Sequence, residues 1–258
     1  MKITAIQTDI KWQEVSINQI NAEKLILDAI GSDVYVLPEM WPTGFIMHPE
    51  NIAETESESN RDGSFAWMKN LAKKTNAAIC GSLAIKTCNG KYVNRMYFVR
   101  PDGSFCSYDK RHLFVPGGES KFYSAGTQRT VVEFRGVKFM LAVCYDIRFP
   151  VWLRNNNEYD VLICSANWPA SRHEVWQTLL KARAIENQCY VIGVNRTGLD
   201  PQCKYNGGSC FVSPYGKIIE DCGNAVRTIT ETIDMNFLNT FRLSFQVLND
   251  RDKFEIIN

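Results

Sequence analysis

Cys144 closes an apolar run, Val137 to Val143, and Tyr145-Asp146-Ile147-Arg148-Phe149-Pro150 follows at once. This pattern predicts a buried strand that delivers a cysteine to a sharp turn, with a helix starting near Pro150. A thiol on such a turn is exposed, and the backbone N–H groups beyond it are free to bind an anion. The competing reading is a structural cysteine, since unpaired cysteine is among the most buried residue types. Two more strand ends carry ionisable side chains. Glu39 follows Val34–Pro38, in Leu37-Pro38-Glu39-Met40-Trp41-Pro42-Thr43-Gly44-Phe45, among apolar and rigid residues. Lys110 follows Ser107-Tyr108-Asp109 and precedes Arg111-His112-Leu113-Phe114. A charge after a strand is usually solvated, but these two have apolar neighbours. A thiol, a carboxylate and an ammonium together could run acyl transfer: nucleophile, proton shuttle and oxyanion partner.

Three ordered motifs make the chain resemble the nitrilase superfamily of carbon–nitrogen hydrolases. They are Leu37-Pro38-Glu39-Met40, Tyr108-Asp109-Lys110-Arg111-His112-Leu113-Phe114, and Val143-Cys144-Tyr145-Asp146-Ile147-Arg148-Phe149-Pro150. Trp168-Pro169-Ala170, Ala182-Arg183-Ala184-Ile185-Glu186-Asn187 and Val194-Asn195-Arg196 extend the likeness, which runs from Ile3 to Gly216. Cys-Tyr-Asp-Ile-Arg-Phe-Pro and Asn-Trp-Pro-Ala look most like the ω-amidase branch, which hydrolyses the terminal amide of 2-oxoglutaramate and related ω-monoamides of dicarboxylates. The resemblance implies an α-β-β-α sandwich that usually dimerises. It also implies a second glutamate hydrogen-bonded to the lysine, a position matched by Glu119 in Pro116-Gly117-Gly118-Glu119-Ser120.

The chemistry of these residue types agrees with that family. An amide is a poor electrophile, so a strong nucleophile is needed. A free thiol has a pKa of about 8.5. Glu39 can take the Cys144 proton, return it to departing ammonia, and then activate water against the thioester. Lys110 and the Tyr145 backbone N–H can hold the oxyanion, and the ammonium is expected to lower the thiol pKa. Gly117-Gly118 lets a loop fold tightly over the site. A dicarboxylate monoamide also needs a cation for its far carboxylate. Arg172, just past the Asn167-Trp168-Pro169-Ala170 loop, is the leading candidate, against a surface salt bridge. Trp168, Phe114 and Phe45 are expected to wall the pocket. Arg148 is expected to pair a carboxylate beneath the turn, and His112 to support its loop. Within the superfamily, an N-carbamoyl amino acid or deaminated-glutathione amidase is the runner-up. A nitrilase and a non-catalytic member rank lower. No histidine has the context of a papain-like base.

Strand-like and helix-like segments alternate around these residues. Lys2–Gln7 reads as a strand, and Ser16 caps a helix to about Ile30 with Ile17, Ile20, Leu27 and Ile30 on one face and Gly31 as its stop. Val34–Leu37 is a short strand, and Glu50 to Gly63 a polar loop. Ser64 caps a second helix with Phe65, Met68, Leu71 and Ala72 inward. Ala77–Ile85 is the next strand. Hairpins are expected from Tyr92–Val99 with Ser104–Tyr108, Val131–Phe134 with Val137–Val143, and Ser209–Val212 with Lys217–Glu220. Asp160–Ala166 and Cys189–Asn195 are strands around a His173–Asn187 helix, and Thr228–Met235 is the last strand. Hairpins mixed with crossover helices argue for two mixed sheets with helices outside.

The 258 residues suit one α/β domain spanning 1–258, with 236–258 a tail. Phe237, Leu238, Phe241, Leu243, Phe245, Val247 and Leu248 make that tail too apolar to stay in water, so it packs on its own domain or on a partner. Together with the family's habit, this predicts a homodimer or larger assembly. The chain is 45% hydrophobic and its net charge is +1, so nucleic acid is not an expected partner. No run reaches the ~18 apolar residues of a membrane span, and Met1-Lys2-Ile3-Thr4-Ala5 lacks a signal peptide's apolar core. Nine cysteines, an odd number without a C-x-x-C pair, fit the reducing cytoplasm better than a disulfide framework or a zinc ribbon. His48, His112 and His173 are too scattered to suggest a metal site. No metal or organic cofactor is expected, and the partner is a small-molecule amide.

Overall fold

The structure, a computed structural model, describes residues 1–55 and 63–256. Its first half runs β1 (Lys2–Gln7), α1 (Val15–Asp28), β2 (Val34–Val36), β3 (Glu54–Thr55), α2 (Ser64–Thr75), β4 (Ala78–Lys86), β5 (Tyr92–Val99) and β6 (Phe105–Asp109). The second half runs β7 (Val131–Phe134), β8 (Val137–Val143), β9 (Val161–Ser165), α3 (His173–Asn187), β10 (Tyr190–Val194), β11 (Thr197–Leu199), β12 (Lys204–Asn206), β13 (Cys210–Val212), β14 (Ile218–Asp221), β15 (Arg227–Thr232) and α4 (Met235–Ser244).

Two mixed sheets result. One has the order β15-β1-β2-β4-β5-β6, with β3 beside β4; the other has β14-β13-β10-β9-β8-β7. In each, a parallel centre (β1-β2-β4 and β8-β9-β10) is flanked by antiparallel strands. Crossovers make the parallel pairs and tight turns make the hairpins, as the alternating sequence signals require.

Strand alternation sorts the side chains into layers. Val34, Val36, Ala78 and Cys80 face the second sheet and join Phe139, Leu141 and Ile163 in the central core. Their neighbours Tyr35, Ala77 and Ile79 face outward and pack with Ala22 and Ile26 of α1 and Met68, Leu71 and Ala72 of α2. On the far side, α3 lies on β10, where a Cβ on Gly193 would come within 2.4 Å of Leu180 and 2.8 Å of Trp176. Glycine there lets helix and sheet approach closely. The four layers are α-β-β-α.

Several local expectations fail for identifiable reasons. The buried residues of α1 are Asn18, Ala22 and Ile26, while Ile17, Ile20 and Ile30 are exposed. The expected face is reversed because the Asn18 side chain turns inward to bond Lys11 and Pro42 carbonyls, fixing the rotation of the helix. Glu14, not Ser16, occupies its N-cap. Ser64 is the first residue of α2 rather than its cap. Instead, the Glu54 carboxylate accepts the Ser64 and Phe65 N–H groups at 2.5 and 3.1 Å, which suits the positive helix end. No α-helix starts near Pro150; the chain makes a 3-10 turn, Cys144–Arg148, and then irregular turns. Of the polar stretch from Glu50 to Gly63, residues 56–62 lie outside the described residues. The short β3 and the β11–β12 hairpin were not foreseen.

The tail becomes α4 and a 3-10 turn at Val247–Asp250. Asp234 caps α4 through the Phe237 N–H. Leu238, Phe241 and Leu248 pack on the chain's own body, while Phe237, Leu243 and Phe245 stay exposed.

Candidate active site

β8 ends at Val143, and Cys144 takes a left-handed backbone, φ 48°. For a non-glycine residue this conformation is strained, and something must hold it. Asp146 supplies the hold. Its carboxylate accepts the Val143 N–H at 3.0 Å, the Tyr108 hydroxyl at 2.8 Å and the His112 N–H at 2.9 Å, and His112 Nδ1 lies 2.9 Å away. The His112 ring stacks on Phe149 at 3.8 Å. His112 was expected to support its own loop; it also ties that loop to the turn through Asp146. Arg148 does not pair the carboxylate beneath the turn: His112 and Tyr108 occupy that carboxylate, so the guanidinium lies over Trp168 at 5.1 Å instead.

Glu39, Lys110 and Glu119 meet beside this turn, all fully buried. Lys110 Nζ lies 2.9 Å from Glu39 Oε1, and 3.1 and 2.9 Å from the two Glu119 oxygens. Each carboxylate is further saturated. Asn94 Nδ2 donates to Glu39 at 2.8 Å, and the Asn167 N–H donates to Glu39 Oε2 at 2.9 Å. The Phe114 N–H donates to Glu119. Cys144 Sγ faces the Asn167 carbonyl at 3.9 Å, and the Asn167 N–H is bonded to Glu39. Met40, next to Glu39, is also left-handed, φ 42°, and its N–H is held by Ser82 at 2.8 Å.

The electrostatics follow from burial and charge count. Burial disfavours the Lys110 ammonium, but the Glu119 and Glu39 carboxylates outweigh it and hold its pKa well above the ordinary lysine value. Burial, with Glu39 adding to it, pushes the Glu119 carboxyl up while Lys110 opposes. Burial and the Glu39 charge push the Cys144 thiol well up, with Lys110 pulling against them. The expected net lowering of that thiol is therefore reversed, because burial and the Glu39 charge outweigh the pull of Lys110. Cys144 is thus held as a neutral thiol beside Glu39, an arrangement in which a thiol proton could pass to that side chain.

Above the thiol lies a pocket lined by Lys110, Cys144, Tyr145, Asn167, Trp168 and Arg172, and by Phe45, Phe114, Gly117, Arg148, Trp12 and Tyr205. Phe45 covers Lys110, with the ammonium 4.9 Å from the ring centroid. Arg172 lies over Phe114 at 5.3 Å, and no ion pair holds it among the described residues. Gly118 is left-handed, φ 83°, and a Cβ on Gly117 would strike Phe114 at 2.5 Å, so the two glycines let that loop close on the ring.

A model of the carbon–nitrogen hydrolase family matches residues 2–242. The chain belongs to the carbon–nitrogen hydrolase family. It is a hydrolase of carbon–nitrogen bonds other than peptide bonds. Among this family's members, the omega-amidase YafV of Escherichia coli K12 is 42% identical over 259 residues, 99% of this chain and 98% of that protein. The 2-oxoglutaramate amidase of Bacillus subtilis is 36% identical, covering 96% of each. The superfamily protein XC1258 of Xanthomonas campestris, solved with an arsenic adduct in its active site, superposes with a TM-score of 0.94 at 36% identity, covering 99% of this chain and 98% of that one.

The structure brings together all eight residues singled out from the sequence, Glu39, Lys110, Cys144, Glu119, Tyr145, Arg172, Trp168 and Phe114. Several more were missed. Arg148 enters the pocket rather than the scaffold. Asn94 is a buried polar residue inside an apolar strand, a signal that was readable. Asn167 sits two residues past β9, in a motif read for its family likeness, its tryptophan and the nearby Arg172, with no role given to the asparagine. Asp200, Gln202, Cys203 and Tyr205 reach the pocket from the β11–β12 hairpin, which no local signal placed there.

Proposed function

We propose that the chain is an amidohydrolase that cleaves the terminal amide of short ω-monoamides of dicarboxylates, of the 2-oxoglutaramate and 2-oxosuccinamate type, to the acid and ammonia. One observation carries this reading. The pocket that ends on Cys144, beside the buried Glu39–Lys110–Glu119 cluster, also holds two guanidiniums stacked on aromatic rings. The names of the relatives, omega-amidase and 2-oxoglutaramate amidase, point the same way.

Cys144 attacks the amide carbon as Glu39 takes its proton. The oxyanion is held by Lys110 and the Tyr145 N–H. Glu39 protonates the nitrogen, ammonia leaves, and a thioester remains on Cys144. Glu39 then activates water, and the acid departs as the thiol is restored. Glu119 orients Lys110. Arg172, joined by Arg148, takes the far carboxylate, and Trp168 and Phe114 stack on the guanidiniums and fix them. Lys110 is spent on two carboxylates and is poorly placed to serve the substrate carboxylate as well.

The same reading makes residues 1–258 one hydrolase domain, acting in the cytoplasm as a homodimer or larger. The exposed Phe237, Leu243 and Phe245 support the assembly. No helix among the described residues is long and apolar enough to cross a membrane.

An ammonia-release screen tests the substrate assignment. It uses 2-oxoglutaramate, 2-oxosuccinamate, succinamate, glutaramate, N-carbamoyl amino acids and simple nitriles, read as ammonia, and deaminated glutathione, read as released cysteinylglycine. The highest kcat/KM is expected for an ω-monoamide. Faster turnover of any N-carbamoyl amino acid, deaminated glutathione or nitrile would move the chain to that substrate class.

A further inference from the structure

Asn167 is tied to both ends of the reacting system. Its backbone N–H donates to Glu39 Oε2 at 2.9 Å, and its side-chain Nδ2 donates to the Glu39 carbonyl at 2.5 Å. Its own carbonyl faces Cys144 Sγ at 3.9 Å. The side chain is 5% exposed and lines the pocket with Cys144 and Lys110. Its Oδ1 has no hydrogen-bond partner.

The amide orientation is fixed by chemistry. The Glu39 carbonyl can only accept, so the atom facing it is the NH₂, and the free atom is the oxygen. Buried polar atoms are nearly always paired, so an orphan needs a reason. Among the described residues, Asn167 Oδ1 is the one unpaired buried side-chain atom whose residue lines this pocket. Asn94 Oδ1 is also unpaired, but Asn94 stands behind Glu39, outside the lining.

We propose that Asn167 selects the carboxamide: its Oδ1 accepts an N–H of the scissile amide while Lys110 and the Tyr145 N–H take the carbonyl oxygen. This rests on the reading of Cys144 as an amide-attacking nucleophile. A primary amide offers two N–H donors at that place. An ester offers an oxygen with lone pairs, and a nitrile offers no N–H. Either would leave the buried acceptor unpaired, and a site built around a hydrogen bond rejects ligands that lack the donor. Asn167 thereby makes the pocket prefer amides over esters and over nitriles before any bond breaks.

Binding separates this role from help given through Glu39. Misplacing Glu39 would slow amide cleavage selectively, so rates alone would mislead. Titration calorimetry on Cys144→Ala protein, with succinamate and monomethyl succinate as ligands, reads the contact directly. Succinamate is expected to bind about 10-fold tighter. In Cys144→Ala/Asn167→Ala that advantage is expected to disappear through loss of succinamate affinity, with the ester unchanged. Equal binding of both ligands to the Cys144→Ala protein would overturn the proposal, and that comparison needs no change at Asn167. Equal weakening of both ligands by Asn167→Ala would also overturn it, leaving Asn167 a support for Glu39. If neither dicarboxylate derivative binds, the proposed substrate class falls, and butyramide against methyl butyrate decides Asn167 by the same criteria.

Discussion

Lys110 Nζ lies 2.9 Å from Glu39 Oε1, and neither side chain touches solvent. Residues from two strand ends are thus locked together across the site, and Glu119 closes the cluster from the following loop. Two carboxyl groups share one ammonium next to the Cys144 thiol. With Lys110 shared between them and the thiol pushed up, the arrangement suits a base better than a pre-formed thiolate. Lys110→Ala should therefore fail twice. Steady-state ammonia release should show kcat down by at least ~10², because the oxyanion loses its cation. Thermal melting should show a Tm drop of about 10 °C, because two buried carboxylates lose their partner at a cost of ~3–5 kcal/mol. A kcat within two-fold of wild type would remove Lys110 from the chemistry.

The Cys144 thiol is pushed up first by burial and then by the Glu39 charge. Glu39→Gln removes the second cause and leaves the first. The sign is therefore downward: Cys144 in Glu39→Gln should ionise at lower pH than in wild type, while turnover falls by at least ~10² for want of the base. The rate of iodoacetamide alkylation at Cys144, followed by peptide mass spectrometry from pH 6 to 11, gives the midpoint. An unchanged or raised midpoint would show that Glu39 does not act on the thiol.

Arg172 and Arg148 enter the pocket on opposite aromatic supports, Phe114 and Trp168. Losing either guanidinium should leave a bound carboxylate under-paired, at ~2–4 kcal/mol. Arg172→Ala and Arg148→Ala are each expected to lower kcat/KM for succinamate and 2-oxoglutaramate by about 30-fold or more. Butyramide, with no carboxylate, should lose little. Equal losses on charged and neutral amides would assign the arginines to the fold.

Much of this architecture was legible because local and tertiary demands agreed. The strands β1, β5, β7 and β8 and the helix α3 have the residue limits their patterns predict, since alternation and turn chemistry act within a few residues. Glu39, Lys110 and Cys144 were legible as charges or a thiol at the ends of strands, with apolar residues beside them. What escaped was set at long range. The rotation of α1 depends on Asn18 reaching Pro42, and a period count sees only the spacing of Ile17, Ile20, Leu27 and Ile30. The direction of Arg148 depends on His112 having taken Asp146, a contact 34 residues away in sequence. The β11–β12 hairpin reaches the pocket through Arg196, whose guanidinium ties the Ile10 and Leu199 carbonyls together.

Assembly has its own test. Tyr215, Phe237 and Phe245 leave aromatic surface open around the buried Phe241, with ring centroids of 5.8 Å for Tyr215–Phe237 and 6.3 Å for Phe241–Phe245. Such a patch favours burial against another subunit. Light scattering at micromolar concentration should give at least twice the 29.4 kDa of one chain. Phe237→Asp/Phe245→Asp should shift the mass toward a single chain. A wild-type monomer would contradict the proposed assembly.

Covalent catalysis by Cys144 is the centre of the proposed chemistry, and Cys144→Ala tests it most directly. The measurement is ammonia release from 2-oxoglutaramate by purified Cys144→Ala protein, with circular dichroism on the same sample. Turnover is expected to vanish into the uncatalysed background while the spectrum and melting curve stay those of a folded chain. Turnover retained by that folded variant at a tenth of the wild-type rate or more would contradict the thioester route.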